Sequence, residues 1–526
     1  MAKVLHFAEN YPAGASPDQI YNGLDVTTTA EIWEALRHWR DDPITQMHYA
    51  YTKGMRGPAM EMTFRGILVD QEERMWLDHK FHEDEARLIE YFEVISETIS
   101  GLRCNPRSTK QCQKLLYESM RLPPQYKYDK KERVEKLTTS IEALERLKEI
   151  GPDAYLICNF ILASRDAREK IKVTSKAIDE DGRMRFSFNV AGASTGRWSS
   201  SENPMWTGTN GQNITDEMRR MFVADRGKKL GNVDLSQADA RNIAYLSGDE
   251  GYISACEGPD LHTHVAIMIW PAVAWPLGPD RRYDYKACRK LAEQKFWRHF
   301  DRRDLAKRGG HAKNYMILAN TMSQRLKIPY QLCVDFGFSY YQAFPGIPAL
   351  HNEIQVYLIE DAARHGGPQG IFTPTGRRRY SFGLPYESDT QRAIVAHMGQ
   401  SMTGDIMNVG LFRLWYYPKI ELLAQIHDAA LFQYDPADEN EVLSEVLRLM
   451  RTPVPVGPRT LLLPSDVTCG WNWAHYLSEA DAAFEAEKSG LPVRPNLSGL
   501  KKWTPDGDSR TAPAATKDSL LDYVLY

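Results

Sequence analysis

The chain has 526 residues and a formal net charge of −4, long enough to bury several cores and to form more than one subdomain. The negative balance argues against indiscriminate binding to nucleic acid, so the distribution of charge matters more than its sum. Seven scattered cysteines show no paired short spacing, which argues against a zinc ribbon or redox loop and fits a reduced, cytoplasmic compartment; no apolar run approaches a membrane span, and MAKVLHFAEN lacks the apolar core of an export signal.

The first 50 residues form a short preamble. From Met55, MRGPAMEMTFRGILVDQEERMWLDHKFHEDEARLIEYFEVI carries apolar residues at helical intervals, and STKQCQKLLYESM and TTSIEALERLKEI continue the pattern. Between those two, KYDKKERVEK reads as an exposed, mobile tip. Strand-like runs follow at MRFSFNV and KLGNVDLS, helices return from His262 to about Ala363, and strands resume at GIFTPTGRRRYSFG and LLAQIHD. From Arg281 to Lys327 there are 14 Lys or Arg against 4 Asp or Glu, a net charge of +10 in an otherwise acidic chain. Phosphate binding is expected there, weakening as salt rises. Past Trp473, SEADAAFEAEKSG predicts one short helix opened by Ser478 and closed by Gly490. The following LPVRPNLSGLKKWTPDGDSRTAPAATKD has the composition of a disordered segment, and the terminal SLLDYVLY is an apolar peptide suited to docking on a partner or on its own body.

Asp234 in VDLSQADAR and Asp428 in QIHDAALFQ each end a short apolar run, so two strands are expected to set these acids side by side at a sheet edge. Paired carboxylates suit two magnesium ions, hard cations that accept oxygen ligands and substrate phosphates, which points to phosphoryl or nucleotidyl transfer. Either acid taken alone reads better as a strand-end cap. Between them lies RRDLAKRGGHAKNY, where Arg303, Lys307, His311 and Tyr315 recur every four residues and share one helical face. Cations one turn apart make a clamp for a triphosphate.

Together these motifs resemble family A DNA polymerases, the DNA polymerase I type, and particularly their phage members. In that family the first strand motif reads DYSQIELR. The helix reads Arg, three residues, Lys, three, Phe or Tyr, three, Tyr; the last strand reads VHDE. Asp234, Ser236, Gln237 and Arg241 match the first, Arg303, Lys307 and Tyr315 the second, and Gln425, His427 and Asp428 the third. Ile328-Pro329 falls where the family places Ile-Pro after its Tyr, and TGRWSSSENP (Thr195 to Pro204), NGQNI (Asn210 to Ile214), DLHTHVA, AFPGIP, TPTGRRR, and Arg392 with Gln400 and Asp405 extend the match from about residue 55 to Trp473.

The resemblance implies an α+β right-hand polymerase with a palm sheet and mostly helical thumb and fingers. Its expected divisions are an exonuclease-like remnant over 1–50, the thumb and the approach to the palm over 51–183, the first part of the palm over 184–254, and the fingers over 255–366. The second part of the palm would cover 367–475, and a short helix with a disordered tail 476–526. It implies template-directed DNA synthesis from deoxynucleoside triphosphates on primer-template DNA, with two Mg2+ ions (Mn2+ able to substitute) held by Asp234, Asp428 and the Leu235 carbonyl. Lys307 would contact the triphosphate and protonate the leaving pyrophosphate, and Arg303 would bind the outer phosphates. His311, Tyr315, Asp239, Gln237 and Leu235 would shape the nucleotide pocket. Arg197, Asn210, Gln212, Asn213, Arg241, Arg392, Gln400 and His427 would meet the DNA, where minor-groove acceptors are nearly independent of sequence. A single-subunit RNA polymerase and a catalytically silent DNA-binding subunit are the alternatives; DLSQ, TGRWSS and the Gln-Asn pair disfavour the first, and retention of Asp234, Lys307 and Asp428 disfavours the second.

Five positions, in four departures, break the family pattern. Asp239 stands where Glu excludes ribonucleotides, which predicts weaker sugar discrimination. His311 replaces the Phe or Tyr beside the incoming sugar. Ala429 replaces an auxiliary acid after Asp428. Gly309 and Gly310 lie inside the expected helix, each costing about 1 kcal/mol relative to Ala, which predicts a close backbone approach or a local irregularity. Near the amino terminus, Tyr21 and Asp25 match the last exonuclease motif of polymerase I relatives, but the earlier acidic motifs have no room, so proofreading by this chain alone is not expected. Asp25 is expected to survive as a helix cap. A separate nuclease, clamp or helicase subunit and the chain's own body are the two alternative docking sites for the carboxy-terminal tail.

Overall fold

A computed structural model of the chain describes residues 16–129, 132–203, 207–297, 300–366, 369–489, 492–507 and 510. The terminal SLLDYVLY peptide lies outside the described residues. Helix α1, Gln71–Ser100, begins where the Asp70 carboxylate accepts the Glu72 and Glu73 amides, and ends at Gly101 in the left-handed conformation. It packs along α2, Pro152–Thr174, burying Phe92 against Ile157, Cys158 and Ile161. The charged KYDKKERVEK segment is exposed as expected, and its described residues carry strand structure. Tyr126–Asp129 and Val134–Leu137 pair as an antiparallel hairpin, because Tyr126, Tyr128 and Val134 are good strand formers with an exposed ladder between them.

The central sheet has five antiparallel strands. They are β1, Lys229–Leu235; β2, Ile420–Ile426; β3, Ala429–Tyr434; β4, Ser465–Gly470; and β5, Lys501–Lys502, in the spatial order β2-β3-β1-β4-β5. Alternation along β3 sends Ala430 and Phe432 to one face and Leu431 to the other. Both faces are buried. On the first lie Met402, Ile406 and Leu411 of a long helix, Ser388–Trp415, with Val442 and Val446 of the helix Glu439–Met450. On the second lie Ile67, Leu77, Phe186 and Phe222. Each such apolar side chain contributes about 1.5–3 kcal/mol by leaving water.

The chain between β1 and β2 is mainly helical. It holds α3, Ala238–Ser247; α4, Leu261–Ile269; α5, Arg302–Asn314; α6, Tyr330–Ala343; and α7, Gly346–His365, which share a core including Tyr252, Leu305, Phe336, Tyr340 and Ile347. The long helix Ser388–Trp415 is α8. Helix α5 stays regular through its two glycines, and the approach is by rings of α6 rather than by backbone: a Cβ at Gly309 would lie 2.6 Å from Phe336. Near the amino terminus a helix over Pro17–Ala35 is opened by a Ser16 and Gln19 capping box. Asp25 therefore sits in mid-helix instead of capping it. The expected helix after Trp473 is present over Glu479–Ser489, with Ser478 Oγ accepting the Asp481 amide. All seven cysteines are buried and free, and among the described residues no helix is long and apolar enough to cross a membrane.

Candidate active site

Asp234 is the penultimate residue of β1, with Ala429 of β3 opposite it on one side and Asp466 of β4 on the other. Asp428 comes from the two-residue turn between β2 and β3, and its carbonyl accepts the Leu235 amide at 3.1 Å. The two acids thus meet at the end of the sheet, one on a central strand and one on a hairpin turn, with β3 between their parent strands. Both neighbourhoods are strained: Gln237 has φ 56° and His427 has φ 55°, left-handed values that non-glycine residues adopt at a cost of about 1–3 kcal/mol. That geometry turns the chain sharply beside each acid.

Asp234 opens onto a cavity, yet desolvation, then the nearby charges of Asp428 and Asp466, push its pKa up to about 6. Burial also raises Asp428, opposed by the Arg197 guanidinium. Arg197 Nη2 lies 3.2 Å from Asp428 Oδ1 and 3.0 Å from Asp239 Oδ1, although Oδ1 of Asp428 receives no well-aligned hydrogen bond. Asp239 Oδ1 also accepts Thr403 Oγ1 at 2.9 Å. Asp466 is answered by Lys502 Nζ at 2.7 Å and by Ser236 Oγ at 2.7 Å.

Helix α5 faces this sheet end across a cavity of about 650 Å³, lined by Asp234, Asp428, Asp239, His262, Lys307 and His311 among others. The Asp301 carboxylate caps α5 through the Asp304 amide at 2.7 Å. Lys307 and His311 open into the cavity, whereas Arg303 is held at its outer end as a fork on Asp260, with contacts of 3.0 and 3.2 Å. Burial pushes Asp260 up, but Arg303 and Thr263 outweigh it and hold the carboxyl below its ordinary range. Tyr315 closes α5, buried edge-on to His311 with ring centroids 5.0 Å apart, its hydroxyl without a hydrogen-bond partner. Gln237 and Leu235 also line the cavity.

The remaining expected DNA contacts are dispersed. Arg241 is buried, Nη1 donating to Glu257 at 2.7 Å, so its fork is occupied inside the protein. Asn210 caps the short turn Gly211–Asn213 by accepting the Gln212 amide, and Gln212 Nε2 donates to the Trp198 carbonyl at 3.2 Å. Asn210 and Asn213 line a separate cleft with Lys170, Lys172 and Lys176. Arg392 pairs with Asp389 on α8, Gln400 lies half-buried further along that helix, and His427 is exposed on the hairpin turn. Three site residues escape individual recognition in the sequence: His262, Asp466 and Thr403. His262 lay within the quoted DLHTHVA. Its imidazole is driven down to about 4 by burial and by Arg303 and Lys307, so it is neutral near pH 7. Asp466 and Thr403 reach the site only through sheet register and helix packing, which leave no local signal.

The end of the sheet thus carries Asp234 and Asp428 on one wall of a cavity whose facing wall holds Lys307 and His311 of α5. Residues 77–289 match the family model described as DNA polymerase family A, a stretch that includes Asp234 and ends before Arg303 and Asp428. The chain is 28% identical over 469 residues to a thermostable DNA polymerase I of Thermus aquaticus, covering 84% of this chain and 50% of that protein. It is 27% identical over 500 residues to DNA polymerase I of Chloroflexus aurantiacus, covering 90% and 48%. It thus spans about half the length of the curated relatives it matches. Among solved structures, the POL domain of Pol1 from M. smegmatis, in complex with DNA primer-template and dNTP, matches with a TM-score of 0.63 and 25% identity, covering 80% of this chain and 70% of that one. The chain is related in sequence and fold to the family A DNA polymerases.

Proposed function

We propose that the chain is a DNA-dependent DNA polymerase that extends a primer 3′-hydroxyl from deoxynucleoside triphosphates. The observation that carries this reading is the single cavity in which Asp234 and Asp428 face Lys307, His311 and His262. The central sheet would be the palm, the helices over 255–366 the fingers, and α1 with α2 the thumb.

The acids suit divalent ions. Burial and then the Asp428 charge raise the Asp234 pKa, and Asp428 Oδ1 lacks a well-aligned donor. Asp234, Asp428 and the Leu235 carbonyl would hold them. When bound, such ions supply Lewis-acid activation of the 3′-hydroxyl and neutralise charge on the leaving group. Lys307 binds the triphosphate and gives a proton to the departing pyrophosphate. Neutral His262 donates one N–H to a phosphate oxygen and gains basicity as it does so. Arg303, swung off Asp260, binds the outer phosphates. His311 and Asp239 border the sugar, and Tyr315 forms the floor under the new base pair. Tyr21 and Asp25, one turn apart on the helix Pro17–Ala35, take no part in nuclease chemistry in this reading.

The test is primer extension on DNA and RNA templates with deoxy- and ribonucleotides in parallel, using Asp428→Ala as the blank. Extension of a DNA-templated primer by deoxynucleotides, abolished by Asp428→Ala, is expected. No extension, or equal extension by the blank, overturns the reading and favours a silent DNA-binding subunit.

A further inference from the structure

Arg197 sits where a metal-ligating acid should be free. Its Nη2 lies between Asp428, at 3.2 and 3.4 Å from the two carboxylate oxygens, and Asp239 at 3.0 Å. The turn that delivers it is built for the purpose. Gly196 has φ +79°, and a Cβ there would stand 2.4 Å from the guanidinium carbon of Arg377, so only glycine lets the chain pass. Arg377 is itself clamped on Asp405, at 3.0 Å through Nε. The backbone at Arg197 is therefore fixed, while its side chain is only partly satisfied: Nε is buried without a partner. An unpaired buried donor disfavours the resting position.

Resting on the polymerase reading above, we infer that Arg197 is an internal cation that covers Asp428 until a primer end draws it away, so that metal binding and DNA binding are coupled. The Arg197 guanidinium, 3.2 and 3.4 Å from the two Asp428 oxygens, competes with a divalent ion for their lone pairs and repels its charge. In free protein the metal binds against that competition. The acceptors that every base pair presents in the minor groove offer the guanidinium a replacement partner, while Asp239 remains within its reach. Leaving Asp428 then exposes a carboxylate already short of a good donor. Linkage requires reciprocity: DNA tightens metal binding by the factor by which metal tightens DNA binding.

The experiment measures Mn2+ binding to the full chain by electron paramagnetic resonance, without nucleotide, with and without saturating primer-template carrying a dideoxy terminus. Saturation is checked by anisotropy, and sites that persist in Asp428→Ala are subtracted. In the parent protein DNA is expected to tighten the Asp428-dependent site on the order of tenfold. Arg197→Ala should bind Mn2+ in the absence of DNA as tightly as the parent does in its presence, with no further gain from DNA. Arg197→Lys, which keeps the charge but loses the fork, should fall between the two and guards against misfolding of the alanine variant. A parent site indifferent to DNA, or an alanine variant with the same DNA gain, overturns the coupling. If primer extension is intact in that case, the polymerase reading stands. Absence of any Asp428-dependent site together with absence of extension overturns both.

Discussion

Asp239 Oδ1 accepts from Arg197 and Thr403, and the buried Tyr315 hydroxyl beside it has no hydrogen-bond partner among the described residues. A glutamate on the same turn of α3 would extend one methylene further into the space beside the sugar. Asp239→Glu is therefore expected to raise discrimination against ribonucleotides by about tenfold or more, read as the ratio of kcat/KM for deoxy- and ribonucleotide; an unchanged ratio would refute it. Asp234 has a pH signature of definite sign. Its pKa in the folded, metal-free protein, about 6, exceeds the ordinary carboxylate value of 3.8, so the proton favours the folded state. That stabilisation is complete below the unfolded value and lost as pH rises through 6. Asp234→Asn should raise the metal-free melting temperature at pH 7 by roughly 1–3 °C, with the gain shrinking by pH 4.5 in calorimetry. Metal binding runs the other way. Mn2+ affinity should fall about tenfold per pH unit below 6, because the ligand must first lose its proton.

At the level of elements, the two adjacent glycines of α5 separate by their surroundings. A Cβ on Gly309 would stand 2.6 Å from Phe336 and 2.9 Å from Met322 Cε, whereas one on Gly310 would meet the Tyr340 ring at 3.3 Å. Gly309→Ala is expected to destabilise by about 1–3 kcal/mol through overpacking. Gly310→Ala should be neutral or slightly stabilising, since helix propensity returns about 1 kcal/mol. Thermal unfolding of the two variants checks the contrast. Spacing alone marked α5 and its shared face, because a four-residue repeat is a local property of sequence. It could not distinguish the glycines, whose neighbours come from α6. Likewise Asp234 and Asp428 were legible as strand-end acids, but the placement of Asp428 on a hairpin turn depends on β3 entering between β2 and β1. Around KYDKKERVEK, charge concealed the Tyr126, Tyr128 and Val134 pattern that makes a hairpin.

Across the whole molecule, two distant parts touch. Glu145, from the short helix Ile141–Leu147, forms an ion pair with Lys327 and a second with Lys148 at 3.3 Å, and a cleft of about 980 Å³ lies between this helix and residues 321–329. In the proposed arrangement this bridges thumb and fingers. Such half-exposed pairs contribute about 0–1 kcal/mol and are screened by salt. Lys327→Gln should open the cleft, seen as a larger radius of gyration by small-angle X-ray scattering at low salt, and raising salt should move the parent towards the variant; identical curves would show that the pair does not hold the two parts together. The +10 window from Arg281 to Lys327 was visible as composition. Its assignment to one cavity was not, since Arg303 pairs with Asp260 and Lys327 with Glu145, and of Lys307 and Arg308, which line the cavity, Arg308 is paired with Asp304.

The bond from the Leu235 amide to the Asp428 carbonyl is a main-chain rung, indifferent to side-chain identity. It fastens the hairpin turn that carries Asp428 to β1 beside Asp234 without engaging a side chain. Substitutions in α4 to α7 can therefore reshape the facing wall of the cavity while this link between the two backbones stays in place.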